Sequence, residues 1–231
     1  MKLHRFYTGE DIELRSDFWL HDPNLLSQWN RVLRFKPGQK IVLFDGRVTD
    51  RLYKIEEIND KEAHLKLVTE MSRQIPKREV YLFWSLLKKD KNEWVLQKCT
   101  EIGISNFVPI ISDRCDKTDL SDSRLERWKK IVTEAAEQCG RSDIPEVRAP
   151  IKLTTAIEEY SSKIKLFVCE QGEEGKFAEN DNLGIFVGPE GGWSDSEKEL
   201  FDTKIIEKIN VNDFTLRAET ASVVTSAKLL Q

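Results

Sequence analysis

The sequence predicts an α/β protein in which a small β-barrel precedes a domain built on a parallel sheet. Short extended runs separated by turn dipeptides fill roughly the first 70 residues. From Val80 onward, apolar runs alternate with helical segments. Between the two parts, residues 71–78 form a polar stretch that contains Pro76. We therefore predict one domain over residues 1–72 and a second over residues 73–231.

Turn-forming dipeptides mark the strands of the first domain. Pro37-Gly38, Asp45-Gly46 and Asn59-Asp60 interrupt the chain and predict turns between short strands. Hydrophobic and polar residues alternate over residues 63–68, a pattern typical of a half-buried strand. Strands this closely spaced favour a small barrel. The predicted strands cover residues 39–44, 47–58 and 62–68.

In the second domain strands alternate with helices, which is typical of a parallel sheet covered on both faces. Residues 80–87 are apolar except at Ser85, and Gly103 and Gly140 follow helical segments as stop signals. One face of the first helix is expected to hold Trp94, Val95, Cys99 and Ile102. We predict strands over residues 80–87, 107–111, 164–169, 183–187 and 204–211. We predict helices over residues 92–102, 121–139, 194–201 and 217–230.

The composition excludes several classes of protein. The chain of 231 residues is 33% charged and 39% hydrophobic, as globular proteins normally are. Its start lacks an apolar segment of signal-peptide length, and no apolar run is long enough to span a bilayer. We therefore expect a cytosolic protein with no membrane partner. The net charge of −4 provides no global attraction for nucleic acid, so any RNA contact must use local patches.

The cysteines and histidines argue against a metal site and against two common catalytic arrangements. The 4 cysteines lack C-x-x-C spacing, so we expect buried or half-buried free thiols and no metal. The 3 histidines all lie at or before His64, which leaves the second domain without one. A Ser-His-Asp or Cys-His site within that domain is therefore excluded.

A glycine-rich loop is the first candidate site. Gly188-Pro189-Glu190-Gly191-Gly192 follows a predicted strand, and the next segment, Ser194-Asp195-Ser196-Glu197, fits a capping box at a helix start. Ligands commonly bind at the carboxyl ends of parallel strands, where glycines let them approach the main chain. The spacing matches neither the dinucleotide-binding motif nor the P-loop, which disfavours a nucleotide-hydrolysing enzyme. A tight structural turn is the alternative.

A second loop-to-helix junction carries one cation and one carboxylate. Leu216-Arg217-Ala218-Glu219-Thr220-Ala221 opens the last predicted helix. Glu219 stabilises a helix N-terminus, so a purely structural role is one reading of it. Arg217 is unfavourable at that position, which favours a role toward a ligand. A surface ion pair between the two side chains is the alternative for Arg217.

Together these loops resemble those of the SPOUT methyltransferases, and within them the RsmE family of 16S ribosomal RNA uridine-N3 methyltransferases. Three further segments are similar to family motifs and occur in the family's order. They are His4-Arg5-Phe6-Tyr7, the helix Trp94-Val95-Leu96-Gln97-Lys98-Cys99-Thr100-Glu101-Ile102-Gly103, and Glu137-Gln138-Cys139-Gly140-Arg141. The resemblance extends over essentially the whole chain.

The resemblance implies an N-terminal PUA-like barrel for RNA and a SPOUT α/β domain with a C-terminal deep trefoil knot. It also implies a homodimer that binds S-adenosylmethionine and acts on 16S rRNA of the small ribosomal subunit. The implied cofactor-binding residues are Val187, Gly188, Pro189, Glu190, Gly191, Gly192, Val211, Asn212, Leu216, Arg217, Thr220 and Ala221. The implied RNA-binding residues are His4, Arg5, Arg114, Glu137, Gln138 and Arg141.

The chain departs from the family pattern just before Arg217. Where the family has L-G-x-x-I/V-L-R, this chain has Val211-Asn212-Asp213-Phe214-Thr215-Leu216-Arg217, so Asn212 replaces a glycine. Asparagine tolerates left-handed backbone better than most residues, so a turn there can be kept. One alternative is a non-catalytic RNA-binding or ribosome-assembly protein that retains the fold. Another is a SPOUT enzyme that methylates a ribose hydroxyl or a different base.

The implied reaction sets requirements on the site. N3 of uridine carries a proton at neutral pH, so its methylation needs proton removal or stabilisation of negative charge. We expect Arg217 to stabilise charge on a uracil oxygen. Because the second domain has no histidine, we expect Glu219 or solvent to accept the proton. An enzyme with no dedicated base is a further alternative, since orientation supplies much of a rate enhancement.

Overall fold

A computed structural model describes residues 3–9, 13–88, 90–115, 120–170, 182–204 and 206–230. The chain divides into two compact units. The first comprises Met1–Ile75 together with Ala136–Ile144, and the second comprises Pro76–Ala135 together with Pro145–Gln231. The segment Ala136–Ile144 thus belongs to the first unit although it lies far along the chain.

The first unit contains a five-stranded sheet in the order β1-β3-β4-β5-β2. The β1–β3 pair is parallel and the remaining pairs are antiparallel. The strands are β1 (His4–Tyr7), β2 (Asp17–Leu20), β3 (Lys40–Phe44), β4 (Asp50–Ile58) and β5 (Ala63–Met71). The three predicted strands are confirmed as β3, β4 and β5, with shifts of a few residues at their ends.

A helical segment interrupts the β structure of the first unit, and sequence reasoning missed it. Helix α1 (Pro23–Ser27) continues into a π-helical turn, Gln28–Leu33. Asp22 caps α1, because its carboxylate accepts hydrogen bonds from the backbone N–H groups of Asn24 and Leu25 at 2.8 and 3.0 Å. Trp29 is fully buried and packs against Phe6, with ring centroids 5.2 Å apart. The local signal for this helix was Asp22 followed by a proline at the first helical position.

The second unit contains a seven-stranded sheet in which all pairs are parallel, as predicted. The order is β12-β10-β11-β6-β7-β8, and β9 pairs with β7. The strands are β6 (Val80–Ser85), β7 (Asn106–Ile111), β8 (Glu146–Val147), β9 (Ile151–Lys152), β10 (Lys165–Cys169), β11 (Leu183–Val187) and β12 (Glu207–Ile209). The last predicted strand is therefore shorter than expected, while β11 has the predicted bounds.

The four predicted helices of the second domain are confirmed, and its described residues contain one more. The helices are α2 (Lys91–Ile102), α3 (Asp122–Cys139), α4 (Leu153–Tyr160), α5 (Asp195–Thr203) and α6 (Ala218–Leu230), of which α4 was not predicted. Gly103 and Gly140 follow α2 and α3 with φ of 123° and 92°, as their roles as stop signals require. Of the residues expected on one face of α2, Val95 and Cys99 are buried, whereas Trp94 is 42% exposed.

An aromatic stack extends the core of the second unit to the loop after β11. Phe83 and Phe186 stack on the sheet with centroids 4.7 Å apart, and Phe186 packs on Phe201 of α5 at 5.7 Å. Phe201 in turn meets Trp193 edge to face at 4.9 Å. The glycine-rich loop between β11 and α5 is thereby anchored by a buried indole.

The free thiols differ in exposure. Cys99 is buried, Cys115 and Cys169 are half-buried, and Cys139 is exposed. The expectation that all would be at least half-buried was therefore wrong for Cys139, which ends α3. Burial raises the pKa of the Cys99 thiol to about 12, and burial also raises the pKa of Cys169. No helix among the described residues is long and apolar enough to cross a membrane.

Candidate functional site

The candidate site lies at the carboxyl ends of adjacent parallel strands in the second unit. Strands β12, β10, β11 and β6 are neighbours in that order, so the segments that follow them meet at one edge of the sheet. A cavity of about 690 Å³ opens there, a size typical of small-molecule sites. Its lining includes Lys91, Arg114, Cys169, Glu170, residues 187–193, Lys198, residues 209–212, residues 214–218 and Ala221.

Gly188 presents its main chain to the cavity because a side chain has no room there. A Cβ atom at this position would lie 3.0 Å from Cε2 of Trp193. The Trp193 indole is 4% exposed and is held by Phe201, so it has little freedom to move away. The glycine therefore allows close approach of a ligand to the backbone.

The rest of the glycine loop is tightened by a turn and by a cation. The N–H of Gly192 donates to the carbonyl of Pro189 at 2.9 Å, and Gly192 has a left-handed φ of 68° that favours glycine. Nη1 of Arg114 donates to the carbonyl of Gly191 at 2.9 Å. Arg114 follows β7, so the end of a further parallel strand also supports the loop.

The predicted capping box is confirmed, and it also fixes the segment after β7. Oγ of Ser194 accepts from the N–H of Glu197 at 3.2 Å, and the Glu197 carboxylate accepts from the N–H of Ser194 at 2.8 Å. The second carboxylate oxygen accepts from the N–H of Asp113 at 2.9 Å. Ser194 also donates to the Asp113 carboxylate at 2.5 Å. The buried Glu197 thus joins two loops of the site.

The segment after β12 is held by two side-chain amides and by the ammonium group of Lys228. Nζ of Lys228 on α6 donates to the carbonyl of Asn210 at 3.0 Å. The side-chain amide of Asn212 donates to the carbonyl of Phe214 at 3.1 Å, and the N–H of Asn212 donates to Oδ1 of Asn210 at 3.2 Å. Among the described non-glycine residues only Arg34 has positive φ, so Asn212 does not adopt the left-handed backbone considered from the sequence.

Lys91 links the two predicted loops, and sequence reasoning missed it. Its Nζ lies 3.0 Å from Oε1 of Glu190 and 3.4 Å from Oε2 of Glu219. The hydrogen bond to Glu190 is the largest cause of the raised pKa of Lys91. Burial raises the pKa of Glu190, but Lys91 and backbone N–H groups outweigh it and leave that pKa below its ordinary value. The available signal was position, since Lys91 opens the helix that follows β6.

Glu219 lies beside the cavity rather than in its lining. Its side chain is 15% exposed, and within the described chain its buried Oε2 has no hydrogen-bond partner. The Lys91 ammonium at 3.4 Å is an ionic neighbour of that oxygen without good hydrogen-bond geometry. This placement supports a role for Glu219 at the helix start and toward Lys91.

Arg217 provides a free cation at the cavity. It is exposed, and among the residues that the structure describes its guanidinium forms no hydrogen bond or ion pair. The alternative of an Arg217–Glu219 surface pair is not observed, because Glu219 faces Lys91 instead. The guanidinium is thus available to an anionic ligand.

The structure brings together nearly all the predicted cofactor-binding residues. Every one of them lines the cavity except Thr220, which is half-buried on α6. Sequence reasoning did not select Glu170 or Lys198, which also line it. A hydrophobic part of the wall is formed by Val187, Ile209, Ala218 and Ala221, all buried.

Of the predicted RNA-binding residues, three lie in a partly buried network of the first unit. Nη2 of Arg5 donates to the buried Asp50 at 2.5 Å. Arg141, 6% exposed, donates twice to Asp143 at 3.0 and 2.6 Å. The N–H of Tyr7 donates to Glu137 at 2.8 Å, which ties β1 to the end of α3.

These contacts give Arg5, Glu137 and Arg141 structural partners within the first unit. His4, Gln138 and Arg114 are exposed, so their side chains are accessible to a partner. No cluster of His, Cys, Asp or Glu suited to a metal ion occurs in the described ranges.

We expect removal of the Glu197 carboxylate to destabilise the site measurably. Glu197→Ala leaves two backbone N–H groups without their acceptor and should lower the free energy of unfolding by about 1–3 kcal/mol. Glu197→Gln should lose less, because its carbonyl can still accept one of the bonds. Urea unfolding followed by circular dichroism measures both changes.

Glu199→Ala is the matched control, since Glu199 is exposed on the same helix. It should change the unfolding free energy by no more than about 0.5 kcal/mol. Equal losses for the two alanine variants would contradict the role assigned to Glu197.

Two family models match the chain. The description "RNA methyltransferase domain" applies to residues 73–230, and "RNA methyltransferase PUA domain" applies to residues 31–68. The chain is similar to ribosomal RNA small subunit methyltransferase E of Aquifex aeolicus, with 30% identity over 198 residues, 84% of this chain and 86% of that protein. The Synechocystis protein of the same name is 30% identical over 208 residues, 86% of this chain and 68% of that protein.

A solved structure resembles the fold over nearly its full length. It is a ribosomal RNA small subunit methyltransferase E from Neisseria gonorrhoeae bound to S-adenosyl methionine. The TM-score is 0.88 at 26% identity, and the match covers 99% of this chain and 97% of that one.

Proposed function

This chain belongs to the RNA methyltransferase family, and we propose that it transfers a methyl group from S-adenosylmethionine to N3 of a uridine in 16S rRNA. Its relatives are named ribosomal RNA small subunit methyltransferase E, and the Neisseria protein binds the same cofactor. Within this family, the observation that carries the proposal is the cavity at the carboxyl ends of β12, β10, β11 and β6. The protein is thus an rRNA methyltransferase. Methylation at N3 of a uridine is what we propose beyond the names of its relatives.

The residues of the cavity fit S-adenosylmethionine. Gly188 and Gly191 form a main-chain cradle, since a Cβ at either would crowd Trp193 or Arg114. The buried apolar wall suits an adenine ring. When bound, the cofactor supplies an electrophilic methyl group attached to a sulfonium.

The family resemblance and the strand order together support a proposal for the domains, the knot and the oligomeric state. We propose that residues 1–72 form a PUA-like barrel that contacts RNA and that residues 73–231 form the methyltransferase domain. Residues 188–192 and 210–217 would then be loops of a deep trefoil knot, and the active form would be a homodimer. His4, Arg114 and Gln138 are the RNA contacts that their exposure supports best.

Arg217 is the residue best placed to act on the uracil. Ionised N3 delocalises negative charge onto the neighbouring carbonyl oxygens, and a fixed cation at such an oxygen favours the ionised base. Since the guanidinium of Arg217 has no protein partner in the described ranges, a uracil oxygen does not have to displace one. We propose that solvent takes the proton, because Glu219 faces Lys91 and lies outside the cavity lining.

The geometry of Asn212 argues against the non-catalytic alternative. That alternative depended on Asn212 disrupting the loop after β12, which in the family carries a glycine. In this chain Asn212 instead holds the loop through bonds to Asn210 and Phe214. The segment still lines an open cavity, as cofactor binding requires.

The direct test combines cofactor titration with mapping of the modified nucleotide. Calorimetry should show binding of S-adenosylmethionine and S-adenosylhomocysteine, with affinity reduced at least about tenfold in Gly191→Val because the new side chain meets Arg114. Small subunits and free 16S rRNA from a strain that lacks the modification should then yield 3-methyluridine by nucleoside mass spectrometry. Methylation of another base or of a ribose would refute the target atom, and absence of cofactor binding would refute the enzyme.

Removal of the Arg217 guanidinium should lower turnover more than it weakens cofactor binding. We expect Arg217→Ala to lower kcat by about 10²- to 10³-fold, as loss of one charge-stabilising donor typically does. Arg217→Lys should retain part of the activity because it keeps the charge but loses the planar fork. Single-turnover rates and calorimetry separate the two effects, and near-normal turnover in Arg217→Ala would exclude the role.

Glu219→Gln tests the identity of the proton acceptor. If solvent takes the proton, the variant should keep turnover within about threefold, since the amide preserves the shape and the side chain lies outside the cavity lining. Lys91→Met serves as the partner variant, because it removes the cation that Glu219 faces. A loss above about 100-fold in Glu219→Gln, relieved at high pH and absent in Lys91→Met, would identify Glu219 as the base.

A further inference from the structure

Phe214 is an unusually exposed aromatic residue in the lining of the cavity. It is 80% exposed, the highest value among the large hydrophobic side chains that the structure describes. The next is Val32 at 73%, which is far smaller, and the exposed Trp94 reaches 42%. A bare phenyl ring beside a binding cavity offers a surface that a planar ligand can cover.

The main chain beneath this ring is held in place before any ligand arrives. The side-chain amide of Asn212 donates to the carbonyl of Phe214 at 3.1 Å. Asn210 accepts from the N–H of Asn212 and is itself fixed by Lys228 of α6. Anchoring of the backbone reduces the entropy that this segment loses on binding.

The surroundings of Phe214 indicate the chemistry of what covers it. Three residues further on, the exposed guanidinium of Arg217 has no partner within the described chain, and both residues line the cavity. Because Arg217 is proposed to hold the target uridine, the planar apolar surface of Phe214 matches a base of the same strand. The adenine of the cofactor is matched better by the buried wall at Val187, Ile209 and Ala221 than by so exposed a ring.

We propose that Phe214 stacks on the base of an unpaired nucleotide in the RNA substrate and so positions the strand at the cavity. This inference rests on the proposed function and adds a contact to it. In the pattern L-G-x-x-I/V-L-R the residue occupies an unspecified position, so the contact is a property of this chain rather than of the motif. Unstacked RNA bases commonly bind to exposed aromatic side chains in this way.

The test compares variants that keep or remove the ring. Phe214→Ala and Phe214→Leu should weaken RNA binding and raise KM for the RNA about 5- to 100-fold, as loss of one stacked base does. Phe214→Tyr and Phe214→Trp should remain within about threefold of wild type, because their rings still stack. The affinity for S-adenosylmethionine and kcat at saturating RNA should change less than about twofold in all four variants.

Two control variants match Phe214→Ala in different respects. Asp213→Ala changes the neighbouring loop residue, which is exposed and outside the cavity lining. Trp94→Ala removes another exposed aromatic of the same unit that does not line the cavity. Both should bind RNA within about twofold of wild type. In Phe214→Trp, additional quenching of tryptophan fluorescence on addition of RNA would report the stacking directly.

RNA affinity, cofactor affinity and methylation together test the stacking contact and the proposed function separately. Unchanged RNA affinity in Phe214→Ala overturns the stacking role even if the enzyme methylates normally. Weakened cofactor binding with unchanged RNA affinity overturns it as well and assigns the ring to adenine. Ring-dependent RNA binding in a protein that neither binds cofactor nor methylates supports the stacking and refutes the methyltransferase.

Discussion

Parallel alignment of the strands in the second unit is the constraint on which the candidate site depends. Because β12, β10, β11 and β6 run in the same direction, the segments that follow them leave the sheet at one edge. The register aligns the carboxyl ends of these strands, since Val187 pairs with Trp84 and Cys169 pairs with Ile209. Residues far apart in sequence thereby line one cavity, which explains why loops carry the site while strands carry the core.

Ion pairs and hydrogen bonds at the candidate site decide which cation remains available to a ligand. Lys91 is shared by Glu190 and Glu219, and Arg114 is engaged by the carbonyl of Gly191. Because Lys91 occupies the position beside Glu219, Arg217 is left without that carboxylate as a partner. Such an unpaired cation stabilises an isolated fold little, but it attracts an anionic ligand and stabilises charge that develops during reaction.

The sequence was informative where the signal was local and weak where the contact was distant. Strand β11 and the capping box of Ser194 and Glu197 were predicted because an apolar run and a four-residue pattern specify them. The pairing of Lys91 with Glu190 was not, since it depends on β6 and β11 being neighbours in the sheet. The residues of the Arg5–Asp50 pair are likewise widely separated along the chain. The missed α1 was different, because Asp22 supplied a local signal.

Asn212 stands where the family pattern has a glycine, and its contacts change how this replacement is interpreted. A glycine at this position would leave the segment after β12 with more backbone freedom, whereas the asparagine amide fixes the carbonyl of Phe214. A large aromatic on a mobile loop gains free energy by collapsing onto nearby apolar surface, such as the wall at Val187 and Ile209. On a segment held at Asn210 and Asn212 the ring instead remains 80% exposed. The contacts of Asn212 hold the backbone while the ring of Phe214 stays exposed, and both features favour recognition of a partner over loss of function.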